Sequence, residues 1–133
     1  MKKLIGLVVL LGLLTLTSRG FTAEESEPIP EVPAKDMVTM LDLGAEKCIP
    51  CRLMASIIKE LREEYKGKAA ILFIDVLKHP EQSRKFNADT IPTLIFYDKS
   101  GKEIYRHEGI LPKEGIVDIF KKAGVEVTES VKP

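Results

Sequence analysis

Cys48 and Cys51, the two cysteines of a 133-residue chain, bracket Ile49 and Pro50 in the order Cys-Ile-Pro-Cys. Two thiols at this spacing can cycle between dithiol and disulfide, form an inert bond, or supply part of a metal site, but they cannot make a multi-disulfide framework. As a staple the pair is poorly placed. Closing so short a loop restrains the unfolded chain by about 2 kcal/mol, against roughly 3 for a fifteen-residue loop. A metal would need further ligands, and His79 and His107 stand far apart without zinc-like spacing. The residues favour redox chemistry, with the inert disulfide and the metal site left as alternatives.

That chemistry depends on where the sulfurs sit. The pair lies where a short apolar run, 38–43, gives way to a helix, with Cys48 on the loop side and Cys51 one turn in. Unpaired N–H groups and the positive end of the helix dipole then face Cys48 and favour its thiolate, the nucleophilic form. Cys48 is the candidate attacking group and Cys51 the candidate resolving thiol. Pro50 suits a helix's first turn, where its missing N–H costs little.

The supporting elements follow from periodicity. From 51 to 66, Leu53, Met54, Ile57, Ile58, Leu61 and Tyr65 recur at helical spacing, with Lys59, Glu60, Arg62, Glu63 and Glu64 largely opposite, and Gly67 stops the helix. The run 69–76 is apolar almost throughout, as expected of a central strand covered on both faces. A short helix is expected over 80–87, a hairpin over 93–97 and 102–107, and a closing helix over 112–123. The element order is strand, helix, strand, helix, strand, strand, helix, and the fold class is α/β.

Composition narrows the function. Hydrophobic residues make up 44% and charged residues 30%, ordinary values for one domain, and Lys plus Arg equals Asp plus Glu at 20 each. No polybasic surface for nucleic acid is indicated. Residues 1–23 place Lys2 and Lys3 before an apolar run to Leu16 and a small-residue exit, the layout of a cleaved signal peptide. The run is short for a membrane anchor, which is the lesser alternative. Cleavage after Ala23 leaves 17 Lys plus Arg against 20 Asp plus Glu, and a periplasmic or secreted, disulfide-permissive location is expected. Residues 24–36, with Pro28, Pro30 and Pro33, are expected to be an extended acidic linker, 37–126 the domain and 127–133 a tail.

The segments 41–52, Phe-Ile-Asp at 73–75, Thr-Ile-Pro-Thr at 90–93 and the stretch around Gly109 together resemble the thioredoxin family, over about 38–125. The resemblance implies a thioredoxin-like fold: a mixed sheet flanked by helices, here with a shortened N-terminal part. It implies that Asp42 is the buried carboxylate assisting proton transfer to Cys51. It further implies that Pro92 is the cis-proline beside the cysteines. Ile91 would pair its backbone with substrate, substrate would pass close to Gly109, and Ile49 and Pro50 would belong to the same substrate-binding surface. Ile110 would join Ile49 and Ile91 in an apolar rim.

There are departures from the family pattern. Lys47 stands where the family usually has tryptophan, Ile49 replaces a common glycine, and 69–76 lacks the lysine that often accompanies the buried Asp. His79 and His107 read as loop and solvent-facing residues, the charged residues of 59–68 as a solvated helix face, and Phe73, Phe96 and Tyr97 as core. The function so implied is an exported thiol–disulfide oxidoreductase that reduces protein disulfides. It needs no organic cofactor and no metal, acts as a monomer on protein dithiols and disulfides, and is fed by a membrane-embedded thiol electron donor. A disulfide-introducing oxidase or isomerase, and a non-catalytic binding module, are the alternatives.

Overall fold

The structure is a computed structural model, and it describes residues 28–127. The most buried segment is β1, Val38–Gly44, all seven of whose residues are buried. Burial of every position requires cover on both faces. Val38, Met40 and Asp42 alternate with Thr39, Leu41 and Leu43, so each face receives one set.

β1 pairs in parallel with β2, Ala69–Asp75, and antiparallel with β3, Thr93–Tyr97, which pairs in turn with β4, Glu103–Glu108. The sheet order is β2-β1-β3-β4. Helix α1, Ile49–Glu64, connects β1 to β2, as a parallel pair demands. Helices α2, Pro80–Lys85, and α3, Lys113–Lys122, follow β2 and β4.

Two cores result. On one face Val38, Met40, Ile71, Leu94 and Phe96 pack against Met54, Ile58, Leu61 and Tyr65 of α1 and Ile116 and Phe120 of α3. On the other, Leu41, Leu43, Ile74, Ile95 and Tyr97 meet Phe86 and Ala88. Val32 packs against this second core, and the Ala34 N–H donates to Thr39 Oγ1 at 3.1 Å, so residues assigned to the linker lie against the domain.

The element order and type follow the sequence expectations, but the place of β2 does not. Among the described residues β2 is an edge strand, and β1 and β3 are the inner ones. Ile71 and Ile74 do face opposite cores. Hydrophobicity along a strand reports what covers its faces and says nothing about what pairs with its edges. Helix α1 also begins two residues earlier than expected, because Pro50 is accommodated in its first turn and Cys48 serves as N-cap. Helix α2 is shorter than expected, and Asn87 just beyond it adopts a φ of 49°, which no helix continues. No helix among the described residues is long and apolar enough to cross a membrane. The segment assigned as a signal peptide lies outside the described residues.

Phe120 is fully buried, with ring centroids 4.5 Å from Tyr65 and 5.8 Å from Phe96. Phe120→Ala is therefore expected to cost about 3–5 kcal/mol in urea denaturation. A loss under about 1 kcal/mol would show that this face does not carry the fold.

Candidate functional site

The strand register collects the site at one end of the sheet. Gly44 ends β1 opposite Asp75, Leu43 stands opposite Thr93, and Thr93 opposite Glu108. The Gly44–Cys48 turn, the Ile91–Pro92 segment and Gly109 therefore all leave the sheet at that end. The Gly109 N–H donates to the Pro92 carbonyl at 2.8 Å, and the Ile91–Pro92 bond is cis. Gly109 has a φ of 90°, a left-handed conformation that suits glycine, and no atom lies within 4 Å of where a Cβ would project. Pro92 is buried, Ile91 half-buried against the second core, and Ile49 and Ile110 are exposed.

The turn into α1 is held by Asp75. Its Oδ2 accepts the Glu46 N–H at 3.1 Å, and its Oδ1 accepts those of Leu77 at 2.8 Å and Lys78 at 3.2 Å. Burial pushes this carboxyl up, but the three N–H groups and the Lys78 charge outweigh it and hold Asp75 below the usual carboxylate range. The Val76 N–H adds a bond to the Gly44 carbonyl at 2.9 Å. Asp75 enters the sequence argument only as part of Phe-Ile-Asp; its grip on a loop 29 residues earlier is a product of the β1–β2 register.

Cys48 caps α1 with extended φ and ψ of −86° and 122°, and its Sγ accepts the Cys51 N–H at 3.3 Å. The two sulfurs are joined as a disulfide, with Cα atoms 5.2 Å apart. Cys48 is half-exposed, whereas Cys51 retains only 4% exposure. A Cβ on Gly44 would come within 3.3 Å of Cys51 Sγ and 3.2 Å of the Phe73 ring, so any side chain there would require these neighbours to give by a few tenths of an ångström.

Behind Cys51 lies a cavity of about 370 Å³ whose walls include Asp42, Phe73, Ile58 and Arg62. Asp42 is 2% exposed, and its Oδ1 has no hydrogen-bond partner among the described residues. Burial lifts its carboxyl to about 7, and the Arg62 charge opposes the rise. Phe73 is half-buried and forms a wall of this cavity rather than core, because its register partner is the polar Asp42; Phe96 and Tyr97 are core.

Among the described residues no three His, Cys, Asp or Glu side chains group as a metal site. His79 stands at the N-cap position of α2, beside Glu81 and without a side-chain capping bond, and a ring nitrogen of His107, on β4, lies 3.2 Å from the Ile110 carbonyl.

Asp42 makes stability depend on pH with a definite sign. The unfolded chain releases this proton near the ordinary value of 3.8, the folded chain at about 7, so the folded state loses stability as pH rises through that window. Asp42→Asn cannot ionise. In denaturant titrations it is expected to gain about 4 kcal/mol on the unsubstituted protein between roughly pH 4 and pH 8. Parallel stability curves for the two proteins would contradict the burial argument.

Comparison with known proteins agrees with this geometry. The thioredoxin family model matches residues 22–122. Thioredoxin of Staphylococcus saprophyticus is 38% identical over 85 residues, covering 64% of this chain and 81% of its own length. Thioredoxin of Staphylococcus aureus is 36% identical over the same length and coverage. Among solved structures, chloroplastic thioredoxin z superposes with a TM-score of 0.62 at 31% identity, over 67% of this chain and 80% of its own. With a Cys-Ile-Pro-Cys disulfide at the strand-to-helix turn of such a fold, the chain belongs to the thioredoxin family and is a thiol–disulfide oxidoreductase.

Proposed function

We propose that the protein is an exported reductase of protein disulfides. The observation that carries this reading is the inequality of the two sulfurs: Cys48 half-exposed at a helix N-terminus, Cys51 buried against the cavity that holds Asp42. In the dithiol form the Cys48 thiolate attacks one sulfur of a substrate disulfide. The substrate S–S bond breaks, its second sulfur leaves as a thiolate, and a mixed disulfide with Cys48 forms.

The second half needs Cys51 deprotonated. Asp42, when ionised, takes the Cys51 proton, and the Cys51 thiolate attacks Cys48 Sγ. The mixed disulfide breaks, the remaining substrate sulfur leaves as a thiolate, and the Cys48–Cys51 bond forms. Two electrons have passed to the substrate, whose thiolates take up protons from Asp42 and from water. Exposed Ile49, Pro50 and Ile110 offer an apolar contact beside the outer sulfur, while Ile91, with Pro92 and Gly109 behind it, offers backbone for an extended peptide.

Export is supported by the residue pattern of 1–23. In a periplasmic or secreted setting the enzyme disulfide must be reduced again, and a membrane-embedded thiol carrier is the donor class that fits; the enzyme works as a monomer. Equilibration against defined thiol–disulfide buffers is expected to give a potential around −270 mV, whereas one around −120 mV would make it an oxidant of folding substrates. A value well below about −300 mV with sluggish exchange would support a binding role. Cys51→Ser is expected to accumulate a mixed disulfide through Cys48, visible by non-reducing electrophoresis; trapping that instead requires an intact Cys51 thiol would reverse the roles. Mass spectrometry of the protein recovered from cells is expected to show a start near Glu24, and a retained Met1 would make the segment an anchor.

A further inference from the structure

Arg62 belongs to the polar face of α1, among charged residues that solvation alone would explain. Its surroundings are more specific than that. Cys51, Ala55, Ile58 and Arg62 succeed one another at steps of four, three and four residues, which lines them up along one side of the helix. All four border the cavity that holds Asp42. The Arg62 Nε–H donates to the Ile71 carbonyl of β2 at 3.1 Å, which ties the guanidinium to the strand that carries Phe73, the register partner of Asp42. Among the described residues Arg62 takes part in none of the close ion pairs.

The other groups around Asp42 narrow the assignment. Helix α1 also contributes Arg52 and Lys59 to the cavity, and the turn before it contributes Glu46. The two flanking strands place Phe73 and Leu94 opposite Asp42, neither of which titrates. Of these charges, that of Arg62 is the one that acts on Asp42. Burial raises the proton affinity of a carboxyl in this cavity, a nearby cation lowers it, and only the ionised form can serve as a base.

We propose that Arg62 is a positioning residue for the proton transfer: anchored to the Ile71 carbonyl at the wall of the cavity that Asp42 and Cys51 share, its guanidinium supplies the positive charge that favours the Asp42 carboxylate as acceptor of the Cys51 proton. This inference rests on the role given to Asp42 above.

The test follows the Asp42 carboxyl by carboxyl-carbon NMR titration, alongside the pH–rate profile for reduction of a model protein disulfide, in the unsubstituted protein, Arg62→Lys and Arg62→Gln. Arg62→Gln is expected to raise the Asp42 midpoint by about half a unit and to move the rising limb of turnover with it, while Arg62→Lys keeps both close to their original positions. In the unsubstituted protein, added salt is expected to move the midpoint the same way by screening an exposed charge. An unmoved Asp42 midpoint in Arg62→Gln, an equal shift in Arg62→Lys, or a midpoint indifferent to salt would each overturn the assignment while leaving Asp42 as the base. A midpoint that shifts without the turnover limb would instead remove Asp42 from the proton transfer, and the role of Arg62 with it.

Discussion

The site depends on one turn, in which an all-buried strand must leave the sheet and become a helix within four residues, Ala45–Cys48. Asp75, projecting from the neighbouring strand end, accepts the Glu46 N–H, and the Val76 N–H binds the Gly44 carbonyl, so the turn is stitched to β2 rather than left to its own propensities. The first sulfur thereby becomes the N-cap of α1, facing the unpaired N–H groups, and the second is carried inward by the first helical turn. Two chemically identical thiols are made unequal by position alone. Everything the protein does with them follows from that inequality.

The same turn brings a cost. Asp42 lies on β1 two residues before Gly44, on the face that α1 covers, so the strand that delivers the outer sulfur also buries a carboxyl without a full set of partners. Its elevated proton affinity lowers the stability of the fold at neutral pH and, in the same measure, brings its titration into the range where it can exchange a proton with a thiol. In the proposed arrangement Arg62 shifts the balance between these effects: the more its charge offsets the burial, the larger the ionised fraction of Asp42 near neutral pH.

Much of this was legible from the chain. The Cys-Ile-Pro-Cys spacing, the helix that follows and the apolar strand before it are local patterns, and local patterns specify element type well. The resemblance carried Asp42, Pro92 and Gly109; Asp42 lines the same cavity as Cys51, and Pro92 and Gly109 lie together at the end of the sheet where β1 turns into α1. What stayed hidden depends on register between distant segments. Phe73 reads as core until it is set opposite Asp42, and Arg62 reads as solvated until Ile71 is placed beside it; that a Gly44 side chain would meet Cys51 Sγ at 3.3 Å has no signal in the sequence. The edge position of β2 among the described residues was hidden for a related reason, since its apolar run answers to the cores above and below and not to strand neighbours.

The inequality of the thiols is the claim on which the account rests, and competitive alkylation tests it directly. The fully reduced protein is exposed to less than one equivalent of iodoacetamide near neutral pH, quenched, and mapped by mass spectrometry. The label is expected on Cys48, because the half-exposed, helix-capping sulfur is the more accessible of the two and stands where a helix N-terminus favours a thiolate. Equal labelling, or labelling that begins at Cys51, would contradict the account.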